Sequence, residues 1–309
     1  MERKLASVYK SVERALEVFE ERLRAELDGR VRDPGFFTGG KHLRPLSVFL
    51  AGKVFSEPSE RALSAALAVE LVHTGSLIHD DIVDGSWRRR GKDTLHKRAG
   101  VSYAVLVGDD FFLKAVEILA ELCDKPMLQA FLRACREALE GEMLEEELGQ
   151  EELLNRDIYV KVISKKTASL FSVAFELGAL SRDAQEPELS ILAKAGRNFG
   201  MAYQIVDDCE DLFAGKDSDL LLGKFTLPVI EAAERSLLLK EKLLKGDFTA
   251  EEVRGEVVDM GGLLEAVNTA CRHLDCARKL VGSLSDPELE PLFDLFDYLE
   301  ERALKATAP

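Results

Sequence analysis

Apolar residues recur at three- and four-residue intervals along most of the chain, the period that puts them on one face of an α-helix. Leu5, Val8, Val12, Leu16, Phe19 and Leu23 form such a stripe, which predicts a first helix over 3–29 that stops before Asp33-Pro34-Gly35. Ser59–Ile82 is apolar almost throughout, so it should be a buried central helix. Val101–Leu122 predicts another, and Pro126, tolerated in a first helical turn, opens the one that Leu128–Leu148 continues. Tyr159–Leu180 and Leu189–Phe213 follow, separated by a loop at Ser181–Pro187. Thr249 and Glu252 have capping-box spacing. Gly261-Gly262 and Ser285-Asp286-Pro287 punctuate C-terminal helices that carry no chemistry and read as support. Strand-type alternation is rare and no solenoid-type repeat is visible. The expected fold class is therefore all-α.

The 309 residues contain no low-complexity run or Pro/Gly/Ser-rich linker, so the expectation is a single domain over 1–309. A net charge of −15, from 41 Lys and Arg against 56 Asp and Glu, leaves too few cations for a nucleic-acid-binding face. It does not exclude small phosphorylated ligands, because local cations and bound metal set the potential in a cleft. The apolar runs fall short of the roughly 18 residues of a bilayer span. The start, MERKLASVYKSVERAL, is charged and amphipathic rather than a signal peptide. These features predict a cytoplasmic protein without a transmembrane segment. Cys123, Cys135, Cys209, Cys271 and Cys276 are odd in number and lack CxxC spacing, so they read as core thiols in a reducing compartment.

Charge acquires a chemical meaning in LIHDDIVDGSWRRRG, residues 77–91. Asp80 and Asp84 are four apart, so on a helix their side chains emerge one turn above each other, with Asp81 one step round. Packed carboxylates repel unless a cation sits between them. An oxygen-rich set suits Mg²⁺, which keeps several waters and shares its remaining positions with substrate phosphates. Arg88, Arg89 and Arg90 follow at once, and guanidinium forks match phosphate oxygens. Asp207, Asp208 and Asp211 repeat the spacing, followed by Lys216 and Lys224. One acidic helix face is usually solvated surface; two, each at the end of an apolar segment, point to metal and phosphate together.

Gly39-Gly40 leads to Lys41 and Arg44 at the start of a helix that Pro45 can enter. Such a loop lets backbone approach a diphosphate, and the free N–H groups of a helix start favour an anion. The same residues also read as a plain glycine loop before a capped helix. His73 shares the stripe of Asp80, a position commonly held by a core histidine, whereas His79 points off the stripe and reads as a supporting residue. Lys165-Lys166-Thr167 lies inside an apolar helix, and Glu142–Glu152 reads as a solvated acidic face without a catalytic part.

Three ordered motifs, GGKHLRP (39–45), HTGSLIHDDIVDGSWRRRG (73–91) and YQIVDD with GKFTLP (203–228), resemble the signature of the trans-prenyltransferases, the all-trans polyprenyl diphosphate synthases. The resemblance spans nearly the whole chain and is closest to medium- and long-chain, octaprenyl-like members. It implies an isoprenoid-synthase helical bundle around a substrate cavity, and a homodimer. It also implies three Mg²⁺ ions per site, held by Asp80, Asp84 and Asp207. By resemblance, Lys41, Arg44, His73 and Arg90 bind isopentenyl diphosphate, while Arg89, Lys166, Thr167, Gln204 and Lys224 engage the allylic prenyl diphosphate. Catalysis then falls to Asp80, Asp84, Arg89, Lys166, Asp207 and Lys224. The loop before GKFTLP is shorter than the family usual, which leaves Lys216 without a clear counterpart. Breaking the allylic C–O bond leaves a carbocation that the isopentenyl double bond attacks. No strong general base stands nearby, so the departing pyrophosphate is expected to take the proton.

The growing tail should pass residues four and five before Asp80, Ser76 and Gly75. Both are small where short-chain members tend to carry an aromatic ring, so the product should be medium or long, with Phe111 or Phe112 as a floor. Rival readings are a short-chain farnesyl or geranylgeranyl diphosphate synthase, an HD-type metal phosphohydrolase built on His73 and His79-Asp80, a terpene cyclase, and a non-catalytic synthase subunit. The phosphohydrolase leaves the second acidic set and GGKHLRP unexplained, a cyclase has no need of an isopentenyl site, and two intact acidic sets argue against a silent subunit.

Overall fold

In the computed structural model, which describes residues 2–31, 37, 40–89, 91–214, 220 and 223–307, the apolar periodicity resolves into helices. Among the described residues the strands are Arg88–Arg89 (β1) and Lys92–Asp93 (β2), a short antiparallel ladder pairing Arg88 with Asp93 and Arg89 with Lys92. The fold is all-α. Two compact units make up the chain: one of Met1–Val8, Arg136–Ser172 and Ser190–Pro309, the other of Tyr9–Cys135 and Val173–Leu189.

The unit of Tyr9–Cys135 is built on α4 (Glu60–Val83), which packs against α2 (Glu13–Leu27), α3 (Leu43–Ala51), α5 (Leu95–Ala99) and α6 (Val101–Glu121). Ser59 caps α4 by accepting from the Ala62 backbone N–H. Residues 62–72 are then buried without a break, because α4 is apolar on every side rather than striped. By length and composition this helix would suffice to cross a bilayer, although Ser, Glu, His and Thr interrupt its apolar runs. Its most apolar stretch is 67% buried inside the protein, as befits a core helix.

The first predicted helix divides into α1 (Glu2–Ser11) and α2, with Val12 between them at φ −126°, ψ 23°. Val8, Val12, Ala15, Phe19 and Leu23 are buried; Ala15 rather than Leu16 faces inward. A one-residue turn barely disturbs a stripe spaced by threes and fours, so the pattern alone does not reveal it.

In the other unit, the expected helix over 159–180 is three segments: α9 (Arg156–Ile163), a π-helical turn (Ser164–Ala168) and α10 (Ser169–Leu180). α7 (Lys125–Glu147) and α10 each contribute residues to both units, and α8 (Gln150–Leu153) leads into α9. Gly141 of α7 meets the π turn so closely that a Cβ there would lie 2.5 Å from the Lys166 backbone nitrogen. Beyond α11 (Glu188–Phe213), α12 (Leu227–Arg235) packs against α13 (Leu237–Lys245), α14 (Ala250–Asp259) and α15 (Gly262–Gly282), and α15 packs against α16 (Glu290–Ala306). Thr249 and Glu252 form the expected reciprocal cap at the start of α14.

Candidate active site

Asp80 and Asp84 close the C-terminal end of α4, Asp84 as its cap, and both are half-buried. The last turn of a helix carries the negative end of the macrodipole, so carboxylates there add to an already negative potential. Asp81 turns inward instead. It is buried and receives Arg89 Nε at 2.6 Å. Burial raises the Asp81 carboxyl from its usual range, and Arg89 opposes that shift. The β1–β2 ladder turns through Gly91 at φ 78°, so a tight hairpin presents Arg89. Arg90, like Gly39 and Lys216, lies outside the described residues.

In the same unit Lys41 is exposed and Arg44 is buried in the first turn of α3, whose N-terminal cap is His42 at φ 40°, ψ 42°. Left-handed backbone is uncommon for a residue with a Cβ. His42 Nδ1 lies 2.8 Å from Glu70 Oε1, both side chains buried, and the Tyr9 hydroxyl donates to the Lys41 carbonyl. His73 is half-buried on α4. His79 hydrogen-bonds the Val105 carbonyl at 3.2 Å and stacks on Phe112, so it fastens α4 to α6.

The open path expected at Gly75 is corrected by this packing. A Cβ on Gly75 would stand 3.0 Å from the Gly108 carbonyl oxygen and 3.4 Å from both Phe111 Cβ and Phe112 Cδ2. Gly75 is small because α6 crosses α4 there. Ser76 is half-buried and returns its hydroxyl to the His73 carbonyl at 2.8 Å.

The second acidic set belongs to the other unit, again in the last turns of a long helix, α11. The π turn supplies Lys166 and Thr167, and π-bulges recur at functional sites. Thr167 donates to Gln204 at 2.7 Å, Gln204 donates to Asp208 Oδ1 at 2.8 Å, and the Tyr159 hydroxyl donates to Asp208 Oδ2 at 2.6 Å. Burial pushes Asp208 up to about 7, against the donation from Tyr159 and Gln204. It raises the Tyr159 phenol as well, with the nearby Asp208 charge adding to the shift. Asp207 also shifts upward through burial, opposed by Arg302, whose Nη2 lies 2.6 Å from its Oδ1.

Lys166 lies 2.6 Å from Glu142 and 2.7 Å from Glu145, and Lys224 lies 3.0 Å from Glu146. The acidic stretch of α7 is therefore not simply a solvated face. Residues 142, 145 and 146 share one side of the helix, turned toward the cations of the site. Lys165 pairs with the exposed Glu140. Sequence reasoning did not single out Glu142, Glu145, Glu146, Tyr159 or Arg302. A signal for Arg302 existed: it is a lone arginine on the buried stripe Leu292, Leu295, Leu299, Ala303.

Among the described residues no group of three or more His, Cys, Asp or Glu is gathered to hold a metal ion unaided. This donor chemistry still fits Mg²⁺, which needs only one or two carboxylates when waters and phosphates complete its shell. Carboxylate pairs at two helix C-termini meet that requirement.

The polyprenyl synthetase family matches residues 32–260. The geranylgeranyl diphosphate synthase of Methanosarcina mazei is 33% identical over 280 residues, 85% of this chain and 86% of that protein. A decaprenyl diphosphate synthase from Rhodobacter capsulatus has a similar structure, with TM-score 0.88 and 29% identity, covering 97% of this chain and 99% of that one. So does a polyprenyl synthase from Caulobacter crescentus, crystallised with calcium and isoprenyl diphosphate, with TM-score 0.87 and 28% identity over 96% of this chain and 97% of that one.

Proposed function

The chain belongs to the polyprenyl synthetase family of prenyltransferases, and we propose that it lengthens a farnesyl- or geranylgeranyl-type allylic diphosphate with isopentenyl diphosphate to a medium- or long-chain all-trans product. The observation that carries this reading is the placement of both acidic sets at helix C-termini, each set held by a fixed guanidinium, Arg89 on Asp81 and Arg302 on Asp207.

Divalent metal bound by Asp80, Asp84 and Asp207 would supply Lewis acidity to the leaving diphosphate. The protein's own cations complete that stabilisation. Lys166 and Lys224 exchange their α7 carboxylates for phosphate oxygens, and Arg89 is already oriented by Asp81. Thr167 and Gln204 are fixed by each other and by Asp208, which presents them as a preorganised polar edge for the allylic diphosphate. Lys41, Arg44, His73 and Arg90 hold isopentenyl diphosphate so that its double bond attacks the allylic cation. The departing pyrophosphate accepts the proton, and the product is an allylic diphosphate one isoprene unit longer.

The absence of an aromatic side chain at Ser76 supports a longer product, as does likeness to the decaprenyl synthase. Likeness to the geranylgeranyl synthase supports the shorter alternative. Leu106 and Leu113 of α6 are 66% and 64% exposed, two turns apart on one face, which favours a homodimer joined along α6. Incubation with Mg²⁺, farnesyl diphosphate and radiolabelled isopentenyl diphosphate, followed by dephosphorylation and chromatographic sizing, tests the reading. Products longer than geranylgeraniol are expected. A ladder ending at geranylgeraniol would establish the short-chain alternative, and no incorporation would overturn the reaction.

A further inference from the structure

We infer that Arg302, on the C-terminal helix α16, positions the Asp207 carboxylate for metal, so that α16 is part of the catalytic apparatus rather than scaffold alone. The inference rests on the assignment of Asp207 as a metal ligand. Arg302 is 4% exposed. Its Nε donates to Glu210 Oε1 at 3.0 Å and its Nη2 to Glu210 Oε2 at 2.5 Å, a two-pronged grip that fixes the guanidinium plane. The same Nη2 donates to Asp207 Oδ1 at 2.6 Å.

Two tyrosines complete the enclosure. The guanidinium carbon lies 5.5 Å from the centre of the Tyr203 ring and 6.0 Å from that of Tyr298, and Tyr203 also hydrogen-bonds Asp207. Asp207 and Glu210 are three apart on α11, so their charges repel across one turn. A cation fixed to both removes that repulsion and determines which way Asp207 faces. The guanidinium occupies Oδ1, and a carboxylate has further lone pairs for a metal or its water. Partners of this kind, behind a ligand, typically change metal affinity by ten- to a hundredfold when lost.

The test titrates Mn²⁺ into the full chain with inorganic pyrophosphate and reads free ion by electron paramagnetic resonance. The double variant Arg302→Met/Glu210→Gln deletes one positive and one negative charge, leaving local net charge unchanged while the bridge is lost. About tenfold weaker Mn²⁺ binding is expected. Arg302→Lys, which keeps the charge without the fork, should also weaken binding. Melting curves establish that each variant is folded, and Arg302→Lys carries the test if the double variant is not. Wild-type Mn²⁺ affinity in folded Arg302→Lys and in the double variant would overturn the inference, even if both melt earlier. Asp207→Asn separates the two ideas. If it too binds Mn²⁺ like wild type, the metal assignment itself falls; if it alone loses affinity, only the positioning role falls.

Discussion

Tyr159 donates its hydroxyl hydrogen to Asp208 across 2.6 Å, and Asp208 in turn holds the Gln204 amide that Thr167 meets. An inward carboxylate thus sets the pose of two side chains assigned to the allylic diphosphate. Tyr159→Phe deletes the donor without changing the ring, leaving a buried acceptor short of one hydrogen bond, at a cost of about 1–3 kcal/mol. We expect an earlier melting midpoint and about tenfold lower kcat/KM for the allylic substrate, with KM for isopentenyl diphosphate unchanged. Equal changes in both KM values would show that Tyr159 acts on the whole fold instead.

Lys165 and Lys166 are adjacent, and the structure separates them. Lys166 sits between Glu142 and Glu145, both half-buried, while Lys165 meets exposed Glu140. Lys166→Met should lower kcat at least a hundredfold, the scale of losing one charge-stabilising donor. Lys165→Met breaks only a surface-type pair of about 0–1 kcal/mol and should leave turnover within a factor of two or so. Steady-state kinetics of both variants decides. Comparable losses would detach the π turn from the chemistry.

What the sequence discloses here is local. Asp80 and Asp84, or Lys166 beside Thr167, carry their meaning in short spacings that survive any detail of packing. Long helices are equally legible, since period and length act over many residues, although the break at Val12 is hidden by a stripe that runs through it. Contacts across the fold are not legible. Arg302 reaches Asp207 from a distant helix, and an acidic run such as Glu142–Glu146 looks identical whether it faces water or lysine. Gly75 is the sharpest case: a small residue reads as open space, yet its smallness is used by the Gly108 carbonyl of α6.

That packing alters the expectation for product length. Adding a phenyl ring at Gly75 must displace α6 backbone 3.0 Å from the new Cβ, so Gly75→Phe should cost stability, about 1–3 kcal/mol or more. Ser76 is half-buried and, among the described residues, its side chain hydrogen-bonds its own helix, at the His73 carbonyl. Ser76→Phe should therefore be the variant that shortens the product while keeping the wild-type melting midpoint within a few degrees. Chromatography of the dephosphorylated products, alongside a melting curve, checks both halves. An unchanged product from a folded Ser76→Phe variant would remove the tail from this side of α4.

His273, on α15, offers a test of pH dependence away from the acidic sets. Its Nδ1 lies 2.9 Å from Asn198 Oδ1, and burial, reinforced by the positive charges of Arg272 and Arg156, holds its pKa below the ordinary 6.5. Between that depressed value and 6.5 the unfolded chain binds a proton that the folded chain refuses, so stability falls as pH drops through the window and levels off above it. Half-buried His273 thus adds a slope that His273→Gln, still able to donate to Asn198, should lack. Urea midpoints measured on both proteins at pH 7.5 and again near pH 5 should show the larger loss in wild type. If the two proteins lose the same amount, His273 is protonated as readily folded as unfolded, and the desolvation argument for α15 fails.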